Sequence, residues 1–266
     1  DLDSVERVAA AATRTGHIGR FHVEIDTGMG RSGFDWRRVA EWGPDLADRA
    51  SPASIWEGCY THFHSADLED DGPTRVQWES FNSALKRLEP EKGSLIHSCN
   101  AAAAMRYPTF AADAVRPGIF LYGGCVGKGV APPEEAARVR ARVTLIRDVP
   151  ESTTLGYGAT YCSSGNERWA TLGIGYGDGF PRVLGNRGNA LLAGQKFPII
   201  GRISMDMTVV DITGDDGVAV GDMATLIGTD GDESITLDDV ADLAGTISYE
   251  ILTGFTARMP RIWITE

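Results

Sequence analysis

Five short runs hold residue types that could grip or transform a small charged molecule: Ile25-Asp-Thr-Gly-Met-Gly-Arg31, Tyr60-Thr-His-Phe63, Val115-Arg-Pro-Gly-Ile119, Gly156-Tyr-Gly-Ala-Thr-Tyr161 and Gly201-Arg-Ile-Ser-Met-Asp206. Arg31 closes a glycine-rich turn after an apolar run. An arginine there keeps its charge at any working pH and can hold a carboxylate through two parallel hydrogen bonds. Asp26-Thr-Gly also has the form of an aspartic-protease loop, but that chemistry needs a second copy and a Ser or Thr where this chain has Met29. His62 and His64 lie two apart at the end of a strand-like run, so both would face one side. With Asp67, Glu69 and Asp70 close behind, they could begin the metal site of a hydrolase. Tyr157 stands between two glycines; a phenol with its ordinary pKa of about 10 must be made more acidic to act as a base near neutrality. Gly173-x-Gly-x-Gly-x-Gly179 has the look of a nucleotide loop, yet Pro181 follows where a phosphate-binding helix should start.

In this order, the five runs resemble the alanine racemases, which use pyridoxal 5'-phosphate (PLP), and the resemblance covers almost the whole chain. It implies that two bases flank the substrate α-carbon. A lysine that anchors the cofactor serves one face, and Tyr157, lent by the neighbouring subunit of a homodimer, serves the other. It implies a hydrogen-bonded chain from Tyr157 through His62 to Arg116 that supplies positive charge to the phenol. Arg116 is expected to meet the pyridine nitrogen. A guanidinium does not readily give up its proton, so that nitrogen stays unprotonated, which favours simple proton return over transamination. Arg31 is expected at the substrate carboxylate. Glu24, where many relatives have a carbamylated lysine, is expected to orient Arg31. Tyr176, Met205 and Asp206 would line the entrance and the substrate pocket. Asn100, Ala101, Gly118, Ile119 and Tyr249 would bind the cofactor, chiefly its phosphate. Ala101 stands where relatives carry a serine, and the lost charge-assisted hydrogen bond, worth ~1.5–3 kcal/mol, implies weaker PLP retention. No metal is implied, and His64 has no role.

These residues need elements to place them. The first half alternates: strand-like runs at Gly19–Ile25, Ile55–Phe63, Ser94–Ser98 and Ala114–Tyr122 are separated by helical patterns at Trp36–Arg49, Thr74–Leu88 and Ala101–Met105. A further helix precedes them, with Val5, Val8, Ala9 and Ala12 on one face. Alternating strands and helices predict a parallel sheet with crossover connections. A complete eight-unit barrel takes about 250 residues, and this stretch is enough for four β/α units. Gly123–Glu135, rich in glycine and proline, reads as a linker. After it come short β-rich runs (143–149, 169–174, 190–192, 197–203, 207–212, 223–227 and 261–265) and one helix, Thr236–Leu243, with Thr236 as N-cap. The expected architecture is α/β plus all-β: the C-terminal half of a (β/α)8 barrel over 1–137, then a β-rich sandwich or barrel over 138–266.

The resemblance places the cofactor lysine on an opening barrel strand, and none of Lys86, Lys92, Lys128 and Lys196 has that context. The chain is therefore expected to lack the barrel's first half and to be inactive alone. The alternatives are a non-catalytic racemase-like protein that dimerises, or the metal-dependent hydrolase of His62 and His64. A net charge of −12 without a dense basic run argues against nucleic acid or an anionic membrane as partner. Four scattered cysteines fit reduced thiols in a cytoplasm. Alanine, as a small amino-acid substrate, is the implied ligand.

Overall fold

A computed structural model describes residues 1–49 and 54–264, and the chain divides into two compact units. Unit 1 comprises Asp1–Gly118 and Val126–Ala131; unit 2 comprises Ile119–Cys125 and Pro132–Glu266. The glycine-rich stretch expected to be a linker is thus shared between them.

Unit 1 opens with α1 (Leu2–Thr15), where the Asp1 carboxylate accepts from the Ser4 amide at 2.8 Å and Gly16 ends the helix in the left-handed region. Then follow β1 (Gly19–Asp26), β2 (Phe34–Asp35), α2 (Val39–Arg49), β3 (Ser54–Tyr60), α3 (Gly72–Leu88), β4 (Leu95–His97) and α4 (Ala101–Arg106). The four strands form one parallel sheet in the order β2-β1-β3-β4, and consecutive long strands are joined through helices, as the alternation predicts. The core is Val5, Val23, Ile25, Trp42, Leu46, Cys59, Phe81 and Ala84, from both helices and strands. On α3 the apolar Val76 is exposed, and the buried face is set by Gln77, Phe81 and Ala84.

The expected strand at Ala114–Tyr122 does not form. Arg116 makes one isolated parallel bridge with Asn100, and Gly118–Tyr122 is a short 3-10 helix. Pro117 has no N–H to extend a ladder, and Gly118 turns the chain with φ +48°. The bridge still brings Arg116 beside the end of β4.

Unit 2 contains β5 (Val139–Val149), β6 (Thr154–Leu155), β7 (Tyr161–Cys162), β8 (Glu167–Leu172), β9 (Asn189–Leu192), β10 (Gln195–Ile200), β11 (Thr208–Asp211), β12 (Met223–Asp230), β13 (Glu233–Ile235), α5 (Leu237–Ala244) and α6 (Ser248–Gly254). Seven strands run antiparallel in the order β13-β12-β5-β8-β11-β10-β9, and β12 also pairs with β9. Six of them therefore close into a ring around Val143, Leu172, Leu191, Ile199, Val210 and Leu226. Thr236 caps α5 as expected, exchanging hydrogen bonds with Asp239 in a capping box. Residues 261–264 are not a strand, contrary to expectation, and leave Ile262 and Trp263 exposed; Thr265 lies outside the described residues. No helix among the described residues is long and apolar enough to cross a membrane.

Candidate active site

The ends of the parallel strands in unit 1 carry a cluster built on Arg116. Register places Glu24, Tyr60 and His97 side by side on β1, β3 and β4. Arg116 reaches across them. Its Nη2 donates to the Thr61 carbonyl at 2.8 Å and lies 3.3 Å from both His62 Nδ1 and the Ser98 carbonyl. Its Nη1 lies 2.7 Å from His97 Nδ1. The guanidinium carbon sits 5.0 Å from the centre of the Tyr60 ring, which stacks on His97 at 5.1 Å. Arg116 thus has no carboxylate partner among the described residues, and carbonyls and imidazoles hold its charge.

Electrostatics follow from this arrangement. Burial, then the charge of Arg116, holds His62 below the usual histidine range. The same two causes, with His22 beside it, push His97 down to about 4. Both rings are therefore neutral near pH 7, and Arg116 alone carries the positive charge that the sequence assigned to this chain of residues. Tyr60 is raised, chiefly by burial and then by Glu24.

Glu24 does not pair with Arg31 within ion-pair distance. Its Oε2 accepts from Ser32 Oγ at 2.6 Å and from the Tyr60 hydroxyl at 3.1 Å. The glutamate is shorter than a carbamylated lysine, and these two hydroxyls engage its carboxylate. Asp26 folds back onto its own loop, accepting from the Gly28 amide at 2.9 Å and from the Gly30 amide. This is turn chemistry rather than a protease carboxylate. Arg31 lies on that loop and is exposed.

Beneath the loop, Thr27 and Thr61 share a buried hydrogen bond of 2.7 Å. Gln77 donates to Thr27 Oγ1 at 3.3 Å and to the His62 carbonyl at 3.1 Å, and accepts from the His64 amide at 3.0 Å. Gln77 therefore fixes the strand end that presents His62. Gln77→Leu leaves the His62 carbonyl and His64 amide without these partners, at ~1–3 kcal/mol for each unsatisfied group. Urea unfolding should show about 2–6 kcal/mol lost, and an unchanged midpoint would contradict this role for Gln77.

Asn100 caps α4, accepting from the Ala103 amide at 3.0 Å while its amide group donates to the Phe63 carbonyl at 3.3 Å. Its side chain is committed to the fold, and of the first-turn amides those of Ala101 and Ala102 are the ones not taken by Asn100. His62 and His64 do not form a metal site: His62 Nδ1 faces a guanidinium and His64 Nδ1 lies 2.6 Å from Ser65 Oγ. Among the described residues no group of three or more His, Cys, Asp or Glu could hold a metal ion. Lys86 lies on α3, and Lys196 on β10 pairs with Glu233 at 3.3 Å.

Unit 2 holds the remaining predicted residues. Tyr157 is at the tip of the β6–β7 hairpin and is 66% exposed. Glu167 anchors that hairpin: it accepts from the Tyr161 hydroxyl at 3.0 Å, Trp169 Nε1 at 2.7 Å and the Ser164 amide at 2.9 Å. Tyr176 and the 204–205 backbone are brought together, with Tyr176 N donating to the Ser204 carbonyl at 3.0 Å and Gly177 N to the Met205 carbonyl at 2.8 Å. Arg258 joins Asp206 at 2.5 Å and Asp178 at 3.4 Å. Each of the glycines of 173–179 meets a close neighbour: a Cβ on Gly175 would lie 2.2 Å from the Ser204 carbonyl oxygen, one on Gly177 3.0 Å from the Met205 carbonyl oxygen, one on Gly179 2.2 Å from the Gly254 carbonyl oxygen and one on Gly173 3.2 Å from Thr144. That disposes of the nucleotide-loop alternative. Ile119 is buried, and Tyr249 lies partly exposed on α6. Sequence reasoning missed the site roles of His22, His97, Gln77 and Arg258, since their partners are set by strand register and loop packing.

The donor set of unit 1 fits PLP. Both terminal nitrogens of Arg116 are committed to protein acceptors, and its Nε has no hydrogen-bond partner among the described residues and is not buried. It is thus available to a ring-nitrogen acceptor.

Comparison with known proteins agrees with that geometry. The family model for the alanine racemase N-terminal domain matches residues 1–126, and that for the alanine racemase C-terminal domain matches residues 136–263. The expectation of a truncated chain without the barrel's first half and its cofactor lysine is not supported, because the N-terminal domain model is matched. Alanine racemase 2 of Caldanaerobacter subterraneus subsp. tengcongensis is 37% identical over 270 residues, covering 99% of this chain and 69% of the relative. The alanine racemase of Carboxydothermus hydrogenoformans is 41% identical over 251 residues, 92% of this chain and 67% of the relative. A solved structure of alanine racemase from Bartonella henselae with covalently bound pyridoxal phosphate superposes with TM-score 0.82 at 28% identity, covering 99% of this chain and 71% of that one. On the two domain matches and the near-complete alignments, this chain belongs to the alanine racemase family.

Proposed function

We propose that the protein interconverts L- and D-alanine with PLP. The observation that carries this is Arg116, a carboxylate-free guanidinium clamped by Thr61, His62, His97 and Ser98 with one nitrogen left over. When bound, PLP supplies an electron sink for the charge that develops at the substrate α-carbon. Arg116 would hold the ring nitrogen without passing it a proton, because a guanidinium does not readily surrender its own. Arg31, on its exposed loop, holds the substrate carboxylate through two parallel hydrogen bonds. Tyr157 moves a proton at the α-carbon, and His62, neutral and oriented by Arg116, is its hydrogen-bond partner. The α4 amides from Ala101, the backbone at Gly118 and Ile119, and the Tyr249 phenol take the phosphate; Asn100 shapes that turn. Tyr176, Met205 and Asp206 border the substrate. The domains run 1–137, which carries the β/α sheet, and 138–266, which carries the β-rich ring. The protein acts in the cytoplasm as a homodimer in which Tyr157 serves the partner's site. The lysine that anchors the cofactor is none of Lys86, Lys92, Lys128 and Lys196.

Titration with PLP, followed by absorbance and by borohydride trapping with peptide mapping, tests this reading. Arg116→Gln should weaken binding about ten- to a hundred-fold, the value of one or two charge-assisted hydrogen bonds. Ala101→Ser should tighten it. Binding unaffected by Arg116→Gln, or a label on one of the four lysines, would contradict the assignment.

A further inference from the structure

The hydrogen bonds of Arg116 continue past His97. On its far side, His97 Nε2 lies 2.9 Å from His22 Nδ1, and His22 Nε2 lies 3.7 Å from a Glu57 carboxylate oxygen. Glu57 is held in turn by Arg20 at 2.8 Å, at the surface. Two histidines on strands that are not neighbours can meet only if the strand between them gives way, and here it does. β3 separates β1 from β4, and its residue in register with His22 is Gly58. A Cβ on Gly58 would lie 2.8 Å from His22 Nδ1 and 2.2 Å from the Leu95 carbonyl oxygen. A shift in register between Phe21 and His22 accompanies this crossing. The imidazole thus spans a strand through a gap that only glycine leaves.

Donor and acceptor roles along this line are forced. Arg116 can only donate, so His97 Nδ1 is the acceptor and the proton of the neutral ring is on Nε2. That Nε2–H must find an acceptor in His22 Nδ1, which places the His22 proton on Nε2, towards Glu57. Each ring is therefore limited to one tautomer. A proton on His22 Nδ1 would oppose the Nε2–H of His97 and break the run. No proton travels the whole line, because Arg116 blocks it; what travels is orientation.

We propose that His22 is a positioning residue: by accepting from His97 Nε2–H at its own Nδ1 it fixes the His97 ring and, through that ring, the guanidinium of Arg116. Glu57 selects the His22 tautomer that makes this possible. The charged and titratable groups facing the pair are Arg116, Tyr60 and Asp113 around His97, and Glu57 around His22. The proposal rests on the role given to Arg116 above but is read out without cofactor, so the two can fail separately.

The test is two-bond 15N–1H spectroscopy of the full chain with 15N-labelled histidine at pH 7, without PLP. Wild-type protein should show both His97 and His22 protonated at Nε2 and bare at Nδ1. A proton on Nδ1 of either ring would overturn the proposal, whatever the PLP titration shows. His22→Leu should speed solvent exchange of the His97 Nε2–H at least ten-fold and give His62, which touches Arg116 and not His22, a second tautomer population. His22→Asn, whose amide oxygen can replace Nδ1 as acceptor, should restore slow exchange and a single His62 tautomer. A folded His22→Leu protein with His62 unchanged would refute the positioning role. If the leucine variant does not fold, the wild-type tautomers and the asparagine variant decide the matter.

Discussion

Tyr157→Phe lowers the rate of L/D-alanine exchange by a factor of about 10²–10⁴, the usual contribution of one positioned acid–base group. The assay uses PLP-loaded protein. The substitution removes one oxygen from a hairpin tip that is 66% exposed. Stability should thus move by no more than about 0.5 kcal/mol. Kinetics and stability therefore separate: activity collapses while the urea midpoint stays. The sharper readout is isotopic. With one base gone, solvent deuterium should still enter one enantiomer, through the base on the other face, while inversion nearly stops. Equal exchange by the Phe variant would remove Tyr157 from the chemistry and, with it, the two-base scheme.

Acidification costs the native fold up to about 3 kcal/mol through His97 alone. The ring is 9% exposed, and burial beside Arg116 and His22 puts its pKa at about 4 in the native protein. The unfolded chain should titrate near 6.5. Between these values the unfolded state binds more protons, so stability is unaffected above the unfolded pKa and is lost as pH falls towards 4. His62 is shifted in the same direction and adds to the slope. Carboxylates contribute as well, so the decisive quantity is a difference between proteins. His97→Asn should flatten the loss between pH 7.5 and 4.5 by about 2–3 kcal/mol relative to wild type, measured by urea unfolding. Identical slopes would mean that His97 does not titrate as its surroundings require.

The periodicity of the chain was enough for the parallel β/α pattern of unit 1 and the β-rich character of unit 2, because burial on one face leaves a local trace in sequence. Arg116 was legible from its motif, yet its strand was not: Pro117 removes the donor a ladder needs, so apolar residues there pack as a 3-10 turn. His22, Gly58 and His97 were invisible as a set. Their meeting depends on a register across three strands, and no spacing along one strand encodes it. Gln77 reads as one polar position on an amphipathic helix, although it lies in the core and bonds two loop backbones. The glycines at 173–179 suggested a ligand loop because sequence shows small residues but not the close neighbours, among them the Ser204–Met205 and Gly254 backbones, that require them. Glu24 was given the wrong neighbour for a simpler reason, side-chain length.

The closed ring of unit 2 has a consequence for how the protein is made. β12 inserts between β5 and β9 and completes the circle, yet Met223–Asp230 comes after all the other ring strands in the chain. During synthesis β5 and β9 must wait with unpaired edges while some thirty further residues beyond β9 emerge, and such edges recruit other chains. Circle completion joins distant segments, so it should be the slow step of maturation. A ribosome pausing before residue 223 would leave that half-built ring as a client for chaperones.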